Sequence, residues 1–586
     1  MSNSRPVTTG KNGGDAIIEV LAQYQIEYLF TSPIAALAPL WEAFAKRHVT
    51  DPDALPHYVN CRHESLAVSL AIGYYKSTGK MAAVCLPTGL GVLNGAMALR
   101  TAKQEKIPML LISPDTVSFG EDASKDPGPE WPTFLIDEFG PARHAATTTK
   151  WGVACRTPED LYPNLHRAIY FARQVTRGPV MVEVPFEIMM TSYDSDDAPA
   201  NRFPKIDSDS GSASARHLDQ VAEMIATADN PIIVTESFAE TEAATQLLDT
   251  FANEIAAPVF EWWMPAYKNI DRTSPLHGKG SVETVLGEAD VVIVLCSHGP
   301  WHPPMQRLQP DCQVILIDQE PLRPASAFWG YETTVCVSGD PVENLSMILH
   351  RLKDSPQLAK KRSEIANRIS RWTEYNQAQQ LAFEKTTSDE VIATESEARI
   401  HASTFFRALA KSLPANSIIV DEMVSQVPYF THYLFSQPDK QFQHCRGWQG
   451  GLGTGIGVAL GAKMANPEKT VVCIVGDGAF NYNPIPACFG LSQQEQLPII
   501  IVVMNNSGYI SQTWNFYNYF PEGAALSSQY MPGAAIDPSP NYSRMPQAWN
   551  GIGKRIESKD ELSSQLDEAL KIAESQFVLL DVNVSP

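Results

Sequence analysis

Residues 471–509 read VVCIVGDGAFNYNPIPACFGLSQQEQLPIIIVVMNNSGY, and the reading of this stretch decides the fold. Val471–Val475 is a short, apolar, β-branched run that stops at Gly476-Asp477-Gly478. Pro498–Met504 is a second such run, stopping at Asn505-Asn506-Ser507-Gly508-Tyr509. Runs of this length bounded by turn residues read as buried strands. The 22 residues between them suit a crossover helix, so the stretch is one βαβ unit with parallel strands. Strands joined this way place their carboxyl ends side by side. Asp477 is therefore expected to face the Asn505-Asn506 turn across a crevice, although 29 positions separate it from Asn506.

That crevice offers oxygen ligands: the Asp477 carboxylate, the Asn506 amide oxygen and the Gly508 carbonyl. A hard cation such as Mg2+ takes these atoms and completes its octahedron with phosphate oxygens and water. The glycines flanking Asp477 allow backbone N–H groups to approach an anion at the following helix start. Taken singly, G-D-G is an ordinary strand-to-helix turn. Its pairing with N-N across one crossover makes the pattern specific.

The pattern of GDG followed 26 residues later by NN resembles the motif of thiamine diphosphate (ThDP) enzymes. The resemblance implies that Asp477, Asn506 and the Gly508 carbonyl hold Mg2+, which anchors the cofactor diphosphate, with Gly476, Gly478 and Ala479 lining the same turn. The text from GGLG at 450–453 through GDGAFNYN is most similar to benzoylformate decarboxylases. The amino-terminal RHESLAVSLAIGYYKSTGK and PTGLGVLNGAMA resemble acetolactate synthases.

Composition bounds the remaining possibilities. A chain of 586 residues is long enough for three or four domains, and 44% apolar with 19% charged content is ordinary for a globular protein. The net charge of −21, from 45 basic and 66 acidic residues, argues against nucleic acid and anionic membranes as partners. Nine scattered cysteines without a C-x-x-C pair, a polar start and the lack of a long apolar run predict a soluble, cytoplasmic protein.

Alternation of helical and extended patterns predicts an α/β chain of three doubly wound parallel-sheet domains. In the terms of the resemblance these are pyrimidine-binding (14–191), middle (217–355) and diphosphate-binding (398–586). Residues 1–13 read as a flexible tail, the Ser/Asp/Pro-rich 192–216 as a linker, and the charged, Gln-rich 356–397 as a helical connector.

Thiamine chemistry needs a carboxyl against pyrimidine N1′ and a bulky side chain that folds the cofactor over itself. Glu64 matches the family's glutamate in Arg62-His63-Glu64; read alone, it is a first-turn Glu favoured by the helix dipole. Leu452, 25 positions before Asp477, matches the bulky residue, with a core leucine as the plain alternative, and the Gly450 carbonyl would accept the cofactor amino group. Ser425 is a possible diphosphate contact or a simple turn residue. His302, in the loop Cys296–His302, falls close to an active-site histidine of benzoylformate decarboxylase-like chains, or is a structural hydrogen-bonder. The resemblance further implies a homodimer or homotetramer with active sites between subunits.

Substrate-handling positions depart from the relatives. Their Y-P-G-G or N-P-G-S loop is Ser32-Pro33-Ile34-Ala35 here, a carboxylate-binding serine is replaced by Ala35, and a histidine by Pro87. The aromatic-rich Trp514–Phe520 is a possible lid or plain packing. The expectation is a 2-oxo acid decarboxylating enzyme that transfers the acyl unit to a carbonyl acceptor, as acetolactate synthases do. The alternatives are a simple decarboxylase releasing aldehyde, a flavin-bearing relative and a catalytically silent homologue.

Overall fold

The computed structural model describes residues 10–115, 124–134, 139–193, 211–261, 265–302, 308–321, 331–395, 399–445 and 451–585. Three wholly parallel sheets run through it in chain order. The first orders its strands His57–Asn60, Tyr28–Thr31, Ala82–Cys85, Met109–Asp115, Pro179–Pro185 and Trp151–Ala154. The third orders them Gln441–His444, Ile418–Glu422, Val471–Gly476, Ile500–Asn505, Val578–Asn583 and Ile552–Ile556. Counted within each domain, both sheets have the strand order 2-1-3-4-6-5. The five-stranded middle sheet runs 2-1-3-4-5. In each, the chain leaves strand 1 in one direction and returns at strand 3, so a crevice opens at the carboxyl ends of these two strands.

The central strands are buried on both faces, which is why they read as continuous Val/Ile/Leu runs rather than alternating ones. The expected βαβ unit is present, with Val471–Gly476 and Ile500–Asn505 in register from Val472↔Ile500 to Gly476↔Met504. Its crossover is a short turn of helix at Asp477–Phe480 followed by the helix Ile485–Gln494.

The expected connector is helical, as Pro356–Lys360 and the 32-residue Arg362–Ala393. The expected tail and linker boundaries differ from the structure. Lys11–Asn12 pairs antiparallel with Ser192–Tyr193, and Asn12 caps the helix Gly13–Gln23 through a reciprocal bond pair with Asp15. Ordered chain thus precedes Gly14 and extends past residue 191; a two-residue pairing across 180 positions has no periodic signal in the sequence.

One helix pair joins the first domain to the third. Helix Glu64–Thr78 starts on a His63 N-cap, ends at a left-handed Gly79, and lies with its backbone against helix Gly455–Ala465. Glycines permit the approach: a Cβ on Gly73 would sit 2.0 Å from the Val458 carbonyl oxygen, and one on Gly461 would sit 2.2 Å from that of Leu70. The apolar core is continuous across this contact, from Leu66 and Leu70 to Ile456 and Leu460. Glu64, the first residue of its helix, is positioned by this packing.

Candidate active site

Asp477 opens the turn after Val471–Gly476 and is buried. Its Oδ1 accepts from Gly478 N–H at 2.9 Å and its Oδ2 from Gly508 N–H at 3.0 Å. The same Gly508 N–H lies 3.1 Å from Asn506 Oδ1, so the two side-chain oxygens converge on one point. Burial pushes the Asp477 carboxyl up to about 6, against the opposing pull of backbone N–H groups. The neighbouring Asn505 turns the other way, donating to the buried Asp581 at 2.9 Å. The N-N pair thus divides into one structural and one crevice-facing residue. Ser425 lies beside the latter, its Oγ 3.5 Å from Asn506 Nδ2.

The glycines of this turn have separate duties. A Cβ on Gly478 would come within 2.6 Å of the Tyr509 ring, whereas Gly476 faces open space. Ala479 is buried in the following turn. Ser507, between Asn506 and Gly508, has φ 62°, and Arg62 and Thr88 are likewise left-handed at the strand ends of the first domain, with φ 61° and 37°. Non-glycine residues held there are uncommon and gather where a turn is fixed by its surroundings.

Leu452 is half-buried against the core that joins the two domains. The turn after it is fixed by Glu422, a wholly buried carboxylate at the end of strand Ile418–Glu422. Its Oε1 accepts from the N–H groups of Gly453, Thr454 and Gly455 at 2.8, 2.9 and 3.2 Å, and its Oε2 from Asn483 Nδ2 at 2.7 Å. Burial pushes the Glu422 carboxyl up, and these four donors oppose that. The sequence reading did not single out Glu422 or Asn483; a Glu ending a strand reads as solvent-facing. Gly450 lies outside the described residues.

In the first domain Glu64 accepts from Ser32 Oγ at 3.0 Å and from Asn94 Nδ2 at 2.5 Å. Ala35, on the loop begun by Ser32, donates its N–H to Glu130 Oε1 at 3.1 Å. His302 lies in the middle domain, exposed, with its backbone N–H on Glu283 Oε1 at 3.0 Å. The structure therefore brings Asp477, Asn506, Gly508 and Ser425 together in the third domain. It gives Glu64 partners from the first domain and His302 one from the second.

Asp477 is a buried carboxylate facing backbone N–H groups, with an amide oxygen beside it and a glycine open to solvent space. This donor set fits a hard divalent cation bridged to an anionic ligand. Among the described residues no cluster of three or more His, Cys, Asp or Glu side chains offers a different metal site.

Three family models match the chain in order. They are the N-terminal TPP binding domain of thiamine pyrophosphate enzymes over residues 11–122, their central domain over 218–347 and their C-terminal TPP binding domain over 424–582. The chain belongs to the thiamine pyrophosphate enzyme family. Among its relatives within that family, the acetolactate synthase large subunit of Haemophilus influenzae is 25% identical, over 98% of this chain and 94% of the relative. The probable 2-ketoarginine decarboxylase of Pseudomonas aeruginosa is 25% identical, over 94% and 91%. The solved structure of the thiamine diphosphate-dependent 4-hydroxybenzoylformate decarboxylase of Rhodococcus jostii superposes with a TM-score of 0.74 at 17% identity, covering 98% of this chain and 99% of that one, a likeness of fold. The chain is thus a thiamine diphosphate-dependent enzyme related to acetolactate synthase and to decarboxylases. No helix among the described residues is long and apolar enough to cross a membrane.

Proposed function

We propose that this chain is a Mg2+- and ThDP-dependent enzyme that decarboxylates a 2-oxo acid and transfers the acyl unit to a carbonyl acceptor. The observation that carries the proposal is the convergence of Asp477 Oδ2 and Asn506 Oδ1 on one N–H in a buried crevice, with Gly508 between them. Asp477, Asn506 and the Gly508 carbonyl would hold Mg2+ and, through it, the diphosphate, and Gly476, Gly478, Ala479 and Ser425 would line the anion. Leu452 would set the bend of the cofactor, and Glu64 would hold a proton at pyrimidine N1′. When bound, ThDP supplies a nucleophilic carbon and an electron sink for the bond broken on CO2 loss.

The hydrogen-bond partners of Glu64 lie in the first domain and those of Asp477 in the third. In the proposed enzyme a second copy brings the two halves together, so the active unit is a homodimer or a homotetramer.

Transfer to an acceptor is favoured over aldehyde release by what the substrate loops lack. Releasing an aldehyde requires a placed acid to deliver a proton to the carbon that lost CO2, and such acids contribute about 10²–10⁴-fold. The two loop positions Ala35 and Pro87 carry no proton to give. One observation favours the second reading, a simple decarboxylase: Glu130 sits on Ala35 N–H and puts a carboxyl on that loop.

Product analysis decides between them. Mg2+-ThDP protein is incubated with a panel of 2-oxo acids, with and without added aldehyde, and carbon–carbon-coupled product is expected to predominate. Mostly free aldehyde with acceptor in excess overturns the transfer reading. No product from any 2-oxo acid, despite cofactor binding, marks a silent homologue.

A further inference from the structure

Glu64 is held from two sides by uncharged donors. Ser32 Oγ reaches Oε1 at 3.0 Å and Asn94 Nδ2 reaches Oε2 at 2.5 Å. The three residues follow three adjacent strands. Ser32 comes directly after Tyr28–Thr31, Glu64 four positions after His57–Asn60, and Asn94 ends the helix Thr88–Asn94 behind Ala82–Cys85. Tyr28–Thr31 is the middle strand of the three, so the glutamate is gripped at the sheet's switch point.

Ser32 is well fixed for this. It is 4% exposed, and its N–H donates to the Cys85 carbonyl at 3.1 Å. The charged groups beside Glu64 in sequence, and the one on the loop that Ser32 begins, are engaged elsewhere. The Arg62 guanidinium donates to Gln494 at 2.7 Å, His63 Nδ1 accepts from Ser65 N–H at 3.2 Å, and Glu130 takes the Ala35 N–H.

The chemistry of the two donors matters. A half-exposed carboxylate such as Glu64 is most simply stabilised by a cation, but a cation within about 4–6 Å lowers a carboxyl pKa by about 1–3 units and keeps it an anion. A hydroxyl and an amide fix the same two oxygens with a smaller effect on acidity, and each oxygen keeps a second lone pair for a proton or a ligand.

We infer that Ser32 and Asn94 are positioning residues, an uncharged clamp that fixes the Glu64 carboxyl for proton exchange with an aminopyrimidine nitrogen. The inference rests on the role proposed above for Glu64. Because both donors bond best to the ionised carboxyl, removing either makes Glu64 a weaker acid.

The test reads Glu64 directly. The full-length apoprotein is labelled with 13C-glutamate, and the Glu64 carboxyl is titrated by infrared difference against Glu64→Gln. Ser32→Ala and Asn94→Ala are each expected to raise its midpoint by about one pH unit, and Ser32→Thr to restore it. With Mg2+-ThDP bound, the pH profile of hydrogen–deuterium exchange at cofactor C2 should move upward with the midpoint. Unmoved midpoints in both alanine variants, with unchanged thermal unfolding, overturn the clamp. Unchanged C2 exchange in Glu64→Gln overturns the role of Glu64 itself, while the carboxyl titration still reads the clamp.

Discussion

Asp477 and Asn506 share a single hydrogen-bond donor, the N–H of Gly508, at 3.0 and 3.1 Å. Two oxygens aimed at one N–H, 29 positions apart in sequence, are held there by the register of Val471–Gly476 against Ile500–Asn505. Backbone N–H groups satisfy the Asp477 oxygens only in part, since burial still raises the carboxyl to about 6. A divalent cation, as proposed above, would supply the missing counter-charge.

Asp477→Ala or Asn506→Ala should therefore weaken metal-dependent ThDP binding beyond the about 10–100-fold typical of losing an outer-shell partner of a metal ligand. Calorimetric titration with ThDP, with Mg2+ and then with excess chelator, measures this. Unaltered affinity in chelator would mean that the crevice holds no metal bridge.

Glu64→Gln should leave ThDP affinity within a few-fold of wild type while slowing C2 hydrogen exchange by about 10²–10⁴-fold. The amide still reaches N1′ but exchanges no proton there. Exchange followed by NMR after rapid quench gives the answer, and an unchanged rate would leave Glu64 as a helix-start residue.

The βαβ unit was legible because doubly buried parallel strands are uninterrupted apolar runs. Val471–Val475 was expected and Val471–Gly476 found; Pro498–Met504 was expected and Ile500–Asn505 found. Asp477, Asn506 and Gly508 followed from that topology. The partners of Glu64 did not, because Ser32, Glu64 and Asn94 come from three strand ends whose approach is set by sheet order, and no local pattern records it. Glu422 was hidden for a related reason: its four donors come from a turn and a loop more than 30 positions downstream.

Gly73→Ala and Gly461→Ala test the helix contact that carries Glu64. Each added methyl would lie 2.0–2.2 Å from a backbone carbonyl oxygen, so a helix must move. Overpacking of this kind costs about 1–3 kcal/mol or more. Thermal unfolding should fall for both variants, and a melting temperature equal to wild type would show that the helices part freely.

His277 gives the middle domain a pH dependence. It is buried, 2.8 Å from Arg272 Nη1 and 2.9 Å from Lys279 Nζ, and burial followed by these cations holds its pKa well below the ordinary histidine value. The unfolded chain, with an ordinary histidine, binds the proton that the folded chain refuses. Stability should therefore fall as pH drops below about 6.5, by up to about 1.4 kcal/mol per pH unit from this residue. Denaturant unfolding between pH 7.5 and 5 should show a shallower loss in His277→Gln, and parallel curves would remove His277 as the cause.

Glu422 offers the sharpest distinction between losing a charge and losing a shape. Its Oε1 collects the N–H groups of Gly453, Thr454 and Gly455, the turn that follows Leu452. Asn483 cannot turn over to suit a substitute: its Oδ1 already accepts from Ile456 N–H at 3.2 Å, so its Nδ2 must face Glu422. Glu422→Gln preserves the volume, and its carbonyl oxygen can keep the three N–H groups. Its new NH2 then meets the Asn483 NH2, donor against donor, at a cost of about 1–3 kcal/mol. Asn483→Asp beside Glu422→Gln would again pair donor with acceptor between the two side chains, but it sets a carboxylate oxygen against the Ala479 carbonyl that Asn483 Nδ2 serves at 3.0 Å, so it should recover only part of the loss. The expected order of melting temperatures is wild type, then the double variant, then Glu422→Gln, with ThDP affinity following the same order because the turn after Leu452 is what loosens. A single variant as stable as wild type would show that the buried carboxylate can be replaced without consequence for that turn.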